Sequence, residues 1–225
     1  MRIKDGLLLI ISSLTVGWMV VHAQPRTIQE SLPVVDTITV DTPTTINVKS
    51  KTALFIGDSH TANHTNGWQK VLSNKVGFNM INASVLGKTT YWMLEQAHLR
   101  LNKKIDYCFV YGGANDMYTD RITPEDAVGN IKGIARMCNG LGIKCVVLTG
   151  FNPVTCTRTP NKRYAYRYAA FQRLLMEEHM EYAQVVDTRV VARTDCWDGL
   201  CHMNPNGHKK IADKVIKDLN FVVLK

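Results

Sequence analysis

Apolar residues fall into short runs separated by longer amphipathic stretches, and the two kinds alternate along most of the chain. Ala53-Leu-Phe-Ile56 predicts a buried strand ended by Gly57-Asp58, and Val76 to Ala83 a second, more polar one. Ile105 to Tyr111 gives a third strand ended by Gly112-Gly113, Ile143 to Thr149 a fourth, and Gln184 to Asp187 a short fifth. Helical spacing occupies the intervals near 64–75, 90–102, 124–140 and 161–182, and a last helix is expected over 207–219. Thr123-Pro-Glu-Asp126 opens one of these with a capping hydroxyl, a proline at the first helical position and acids in the first turn. Strands alternating with helices predict βαβ units, that is, an α/β fold with a mainly parallel sheet and helices on both faces. In such sheets ligands bind beyond the carboxyl ends of the strands.

Chemistry is therefore expected in the residues just past each strand. After the first strand comes Gly57-Asp58-Ser59-His60, and after the second Asn82-Ala-Ser-Val-Leu-Gly87. Gly112-Gly-Ala-Asn115-Asp116 succeeds the third, and Asp198-Gly-Leu-Cys-His202 lies near the C-terminus. A serine hydroxyl becomes a nucleophile only when a neighbouring base takes its proton. Ser59 with His202 supplies that pair, and Asp198 is placed to fix the imidazole tautomer. The Ser59 amide is expected to open a helix and so to point at developing negative charge. The Gly87 amide and the Asn115 side chain would complete an oxyanion hole. His208 is the alternative base, and Asp195 or a backbone carbonyl the alternative partner for His202. Asp58 and Asp116 are read as loop-bracing carboxylates. His60, Asn63, Tyr118 and Trp197 are candidate substrate-lining residues.

In order and content these four clusters resemble the signature blocks of the SGNH (GDSL-type) hydrolases. The resemblance implies a three-layer, flavodoxin-like five-stranded parallel sheet and a serine esterase acting through an acyl-serine intermediate. It assigns Ser59, Asp198 and His202 to the triad and Ser59, Gly87 and Asn115 to the oxyanion hole. The family usually separates its last acid and histidine by two residues, whereas three stand between Asp198 and His202 here. Among substrates it points first to an O-acetyl ester of an extracytoplasmic glycan. Lysophospholipase, thioesterase or O-acyltransferase chemistry on the same site and an inactive glycan-binding module are the alternatives. The turn around Ser59 lacks the Gly-x-Ser-x-Gly elbow of α/β-hydrolases.

Composition sets the frame. With 225 residues, 45% of them hydrophobic, the chain suits one well-packed domain and not a disordered or fibrous protein. The net charge of +8 is dispersed. Its densest basic stretch, Arg158 to Arg173, interleaves tyrosines at helical spacing and is read as a solvated helix face, so no specific nucleic-acid partner is expected. No phosphate-binding loop, dinucleotide fingerprint or Cys-x-x-Cys pair occurs, so neither a cofactor nor a metal is implied. Residues 1–23 join a basic start, the apolar run Leu7 to Val21 and Val21-His-Ala23, which marks a signal peptide or an uncleaved membrane anchor. Either would place the domain, residues 51–225, outside the cytoplasm, secreted or periplasmic, behind a linker over 24–50. Of six cysteines, Cys108 and Cys145 fall in apolar runs and are expected as core thiols. Cys156, Cys196 and Cys201 sit in loop-like sequence and are candidates for a disulfide, while Cys138 lies on a predicted helix.

Overall fold

The computed structural model describes residues 44–62, 65–152, 162–177, 180–197 and 202–224. The proposed signal or anchor segment, Asn63, His64, Cys156, Asp198 and Cys201 lie outside them. Five strands form one sheet: β1 (Thr52–Gly57), β2 (Asn79–Asn82), β3 (Tyr107–Tyr111), β4 (Lys144–Leu148) and β5 (Ala183–Val186). Their spatial order is β2-β1-β3-β4-β5, and every pairing is parallel. The helices are α1 (Trp68–Val76), α2 (Thr90–Arg100), α3 (Pro124–Gly140), α4 (Lys162–Glu177) and α5 (Pro205–Asp218). Helix α1 packs on α5, whereas α2, α3 and α4 pack in series, so the sheet is covered on both faces. This is the three-layer arrangement that the alternation of strands and helices predicts.

Covering both faces explains why the central strands are continuous apolar runs. All of Tyr107–Tyr111 is buried, as is Ala53 to Gly57. Edge strand β2 is half-exposed and correspondingly polar. Cys108 and Cys145 are register partners on β3 and β4, and with Cys138 of α3 they form a buried group of free thiols. The Cys138 thiol together with burial pushes both strand thiols above the ordinary cysteine range, which keeps them protonated and unreactive. Cys196 is also buried, with Sγ 3.8 Å from the Ala192 carbonyl.

Caps set the helix starts. Thr123 accepts from the Asp126 amide at 3.0 Å while the Asp126 carboxylate accepts from the Thr123 amide at 2.9 Å, a reciprocal box ahead of Pro124. Helix α5 begins at Pro205, two residues earlier than the apolar spacing suggests, because the Asn204 side chain accepts from the amides of Asn206 and Gly207. The Ile46–Val48 stretch packs on the domain: Ile46 bridges Phe221 in parallel fashion and Val48 is buried. On α4, Arg163 and Arg173 point outward, as a solvated basic face requires.

Candidate active site

The chain leaves β1 at Gly57, where a Cβ would lie 2.3 Å from the Tyr111 carbonyl oxygen, so only glycine lets the two strand ends converge. The next residues form a turn and not the helix expected to open at Ser59. The Asp58 carbonyl accepts from the amides of Thr61 (3.0 Å) and Ala62 (2.9 Å), and α1 begins only at Trp68. The buried Asp58 carboxylate closes the turn from within by accepting from the His60 amide at 2.9 Å. Asn82, at the end of β2, donates to the Thr61 carbonyl and ties the neighbouring strand to the same turn.

Ser59 and His202 stand 143 residues apart in the chain, yet His202 Nε2 and Ser59 Oγ are 2.9 Å apart. His202 is placed by an antiparallel bridge between Cys196 and Met203 and by the Trp197 amide, which donates to the His202 carbonyl at 2.9 Å. That hydrogen bond joins the two ends of the segment carrying Asp198. Asp195, the alternative acid, is engaged elsewhere: its carboxylate accepts from the Ala192 amide (2.8 Å) and from Lys210 Nζ (2.6 Å). His208, the alternative base, turns Nδ1 to the Trp68 amide at 3.2 Å, joining α5 to the start of α1.

Asn115 directs Nδ2 to the Lys88 carbonyl (3.0 Å) and stands 3.4 Å from Asp58 Oδ2. Gly87, beside Lys88, has φ 73°, and a Cβ there would meet nothing within 4 Å. The left-handed backbone, and not lack of space, is what selects glycine at this position. Asp116 braces the two loops against each other. Its carboxylate accepts from the Thr90 amide and, at 2.6 Å, from the Thr90 hydroxyl at the start of α2.

A cavity of about 250 Å³ opens over Ser59 and His202. Buried His60, Ala62, Met203 and His208 make its inner wall, while exposed Leu86 and Trp197 form its rim. Of the candidate lining residues, His60 and Trp197 are therefore at the cavity. Tyr118 is not; it faces a separate depression on the Asn115 side. Leu86, within the second polar cluster of the sequence, and Ala62 and Met203, just past the first and the last, also line the cavity over Ser59, as does His208, the alternative base. A cavity of about 310 Å³ at the amino ends of β3, β4 and β5 has no comparable serine–histidine pair on its walls.

The electrostatics follow from burial. The His60 ring packs against Tyr111, Phe151 and His202, and desolvation, with repulsion from His202 and His208, pushes its pKa down to about 3. Burial, with His202 adding, lowers His208 to about 4, and burial also holds His202 below the ordinary histidine value. All three imidazoles are thus neutral near pH 7, the state a general base needs. Desolvation, with the Asp116 charge adding, raises Asp58 to about 7 against the lowering effect of its backbone hydrogen bonds.

Comparison with known proteins agrees with this geometry. Residues 55–210 match the model of the GDSL-like lipase/acylhydrolase family. A search of curated proteins finds no match. Among solved structures, a catalytic mutant of an acetylxylan esterase from Geobacillus stearothermophilus is similar at a TM-score of 0.64 and 15% identity, covering 80% of this chain and 100% of that one. A GDSL-like lipase from Bacteroides thetaiotaomicron VPI-5482 gives 0.60 and 14%, over 75% and 87%. A member of the lipolytic G-D-S-L family from Veillonella parvula DSM 2008 gives 0.63 and 14%, over 75% and 97%. With a match that spans well over half its length, the chain belongs to the GDSL-like lipase/acylhydrolase family and is an SGNH-type carboxylic ester hydrolase.

Proposed function

We propose that this esterase removes short O-acyl groups, acetyl foremost, from an extracytoplasmic glycan through an acyl-Ser59 intermediate. The observation that carries the chemistry is the 2.9 Å contact between Ser59 Oγ and His202 Nε2. Ser59 Oγ attacks the ester carbonyl carbon while His202 Nε2 takes its proton. The resulting oxyanion is met by Asn115 Nδ2 and by the amides of Gly87 and Ser59. His202 then protonates the departing alkoxide, leaving the acyl group on Ser59. Water gives a proton to His202, attacks the acyl carbon, and the acid leaves as Ser59 recovers its proton. Asp198 is assigned to orient the second ring nitrogen of His202.

Asn115 enters this scheme with its amide held by the Lys88 carbonyl at 3.0 Å and, more weakly, by Asp58 at 3.4 Å. To serve the oxyanion, Nδ2 turns one hydrogen from these acceptors to the substrate. Asn115→Ala is expected to lower kcat by about 100- to 1,000-fold with little change in KM, since one oxyanion donor is worth about 2.7–4 kcal/mol in the transition state alone. Steady-state kinetics on p-nitrophenyl acetate check this.

The inner wall of the cavity is made of two imidazoles, an alanine and a methionine. The exposed Trp197 at the rim offers a face to a sugar ring. The likeness to an acetylxylan esterase points the same way. The export reading rests on the N-terminal sequence. Two measurements test the proposal together. A fluorophosphonate should label Ser59, located by peptide mass spectrometry, and wild type should release acetate from acetylated xylan faster than p-nitrophenyl butyrate is cleaved at matched concentration. Labelling elsewhere would overturn the nucleophile, and a preference for the longer chain would overturn the acetyl assignment.

A further inference from the structure

Tyr118 lies three residues beyond Asn115, at the end of a short 3-10 helix, Asp116–Tyr118. At about 2.0 Å of rise per residue this puts its backbone roughly 6 Å further along the helix axis than Asn115. It is 62% exposed. Its ring stacks on buried Tyr164 with centroids 4.1 Å apart and planes at 16°. Tyr164 stacks in turn on Tyr168, Tyr168 packs on Phe151, and Phe151 on His60 beside the nucleophile. The exposed ring is thus the outer end of an aromatic file that starts at the catalytic pocket.

Polar groups are fixed beside the same ring. The Asp120 carboxylate is 2.6 Å from Arg163 and 3.4 Å from Arg167. Arg167 is largely buried and also donates to the carbonyls of Thr119 and Ile122, which holds the loop after Tyr118 in one shape. Met117, Tyr118, Asp120, Arg163 and Tyr164 together line a depression of about 150 Å³. A planar aromatic face next to a carboxylate and a guanidinium is what a pyranose ring requires. Its C–H face stacks on the aromatic ring, while vicinal hydroxyls donate to the carboxylate and accept from the guanidinium.

We propose that the Tyr118–Asp120–Arg163 depression is a second glycan subsite, holding a sugar ring of the substrate other than the one whose ester lies over Ser59. It rests on the glycan-esterase reading above and adds to it that the substrate is an oligosaccharide or polysaccharide, recognised over at least two units. Binding energy from this remote ring orients the ester without taking part in the chemistry.

The test compares O-acetylated xylooligosaccharides of one to six units with p-nitrophenyl acetate, in wild type, Tyr118→Ala, Tyr118→Phe and Arg163→Ala. In wild type kcat/KM is expected to rise with chain length once the oligosaccharide is long enough to reach Tyr118. In Tyr118→Ala the ratio of oligosaccharide to p-nitrophenyl acetate kcat/KM should fall about five- to tenfold, through KM, for loss of one ring stack. Tyr118→Phe should keep the ratio, because the face and not the hydroxyl does the stacking, and Arg163→Ala should lower it. Turnover that is independent of chain length, or a ratio unmoved in Tyr118→Ala, overturns the subsite while leaving the esterase reading intact. Cleavage of p-nitrophenyl acetate with no cleavage of any sugar ester would overturn the glycan reading and the subsite with it.

Discussion

Ser59→Ala and His202→Ala are each expected to lower kcat on p-nitrophenyl acetate by about 100,000-fold or more, and the double variant to be no worse than either alone. The nucleophile and its base act as one unit: without the imidazole the hydroxyl keeps its proton, and without the hydroxyl the imidazole has nothing to activate. Losses that simply multiplied would mean that the 2.9 Å contact between the two side chains is not used in the reaction. The residual rate in all three variants should be similar, because it comes from the oxyanion donors and the cavity, which these changes leave in place. Circular dichroism of the variants separates this result from unfolding.

Acid should unfold the protein in a way governed by two histidines that take no part in the proton transfer. His60 and His208 are buried and neutral, with pKa values pushed down to about 3 and about 4 from an ordinary 6.5. As pH falls below 6.5, the unfolded chain binds protons that the folded protein refuses, so stability is lost through that window. Carried to full protonation, His60 costs about 5 kcal/mol and His208 about 3 kcal/mol, taking 1.36 kcal/mol per pKa unit. Asp58 works against them. Its raised pKa, about 7, means the folded protein takes up a proton that an unfolded carboxylate does not hold between pH 7 and 3.8. Acidification through that range therefore returns about 4 kcal/mol that charging Asp58 withdraws at higher pH.

The expected net result is a stability maximum near pH 6.5 and a steady loss from there to about pH 4, where two histidine losses outweigh one carboxylate gain. His60→Gln should flatten the acid limb and Asp58→Asn should steepen it. Urea denaturation at half-unit pH steps measures both. If His60→Gln left the acid limb unchanged, burial of that ring would not be what destabilises the protein in acid.

Much of this architecture is legible in the chain because a sheet covered on both faces leaves an unmistakable trace. Runs such as Ala53 to Ile56 and Tyr107 to Tyr111 are apolar at consecutive positions, which only a doubly buried strand tolerates. The signature clusters are legible for a related reason, since parallel topology delivers every strand's carboxyl end to one side. Where expectation and structure part, tertiary contacts decide. A helix opening at Ser59 is locally reasonable, but the buried Asp58 carboxylate and the Asn82 side chain from another strand hold the segment as a turn. Tyr118 lies close enough to Asn115 to suggest a wall of the catalytic cavity. Its ring instead turns to Tyr164, 46 positions away, which no local pattern could foretell. Cys138 likewise joins the two strand thiols through packing of α3 on β4. The raised pKa of Asp58 depends on complete burial, invisible in a Gly-Asp-Ser triplet.

Ser59 comes from the first strand and His202 from the segment before the last helix, with α1 and α5 clasped by Trp68 and His208 and by the 2.5 Å pair of Lys75 and Asp213. During translation the serine emerges long before its base. At about 5–20 residues per second the interval is on the order of ten seconds. All five strands, the last ending at Val186, emerge before His202, so the sheet can assemble around a serine that has no partner to take its proton. The nucleophile therefore exists in the nascent chain before its base, and the pair forms only when the segment carrying His202 joins the sheet.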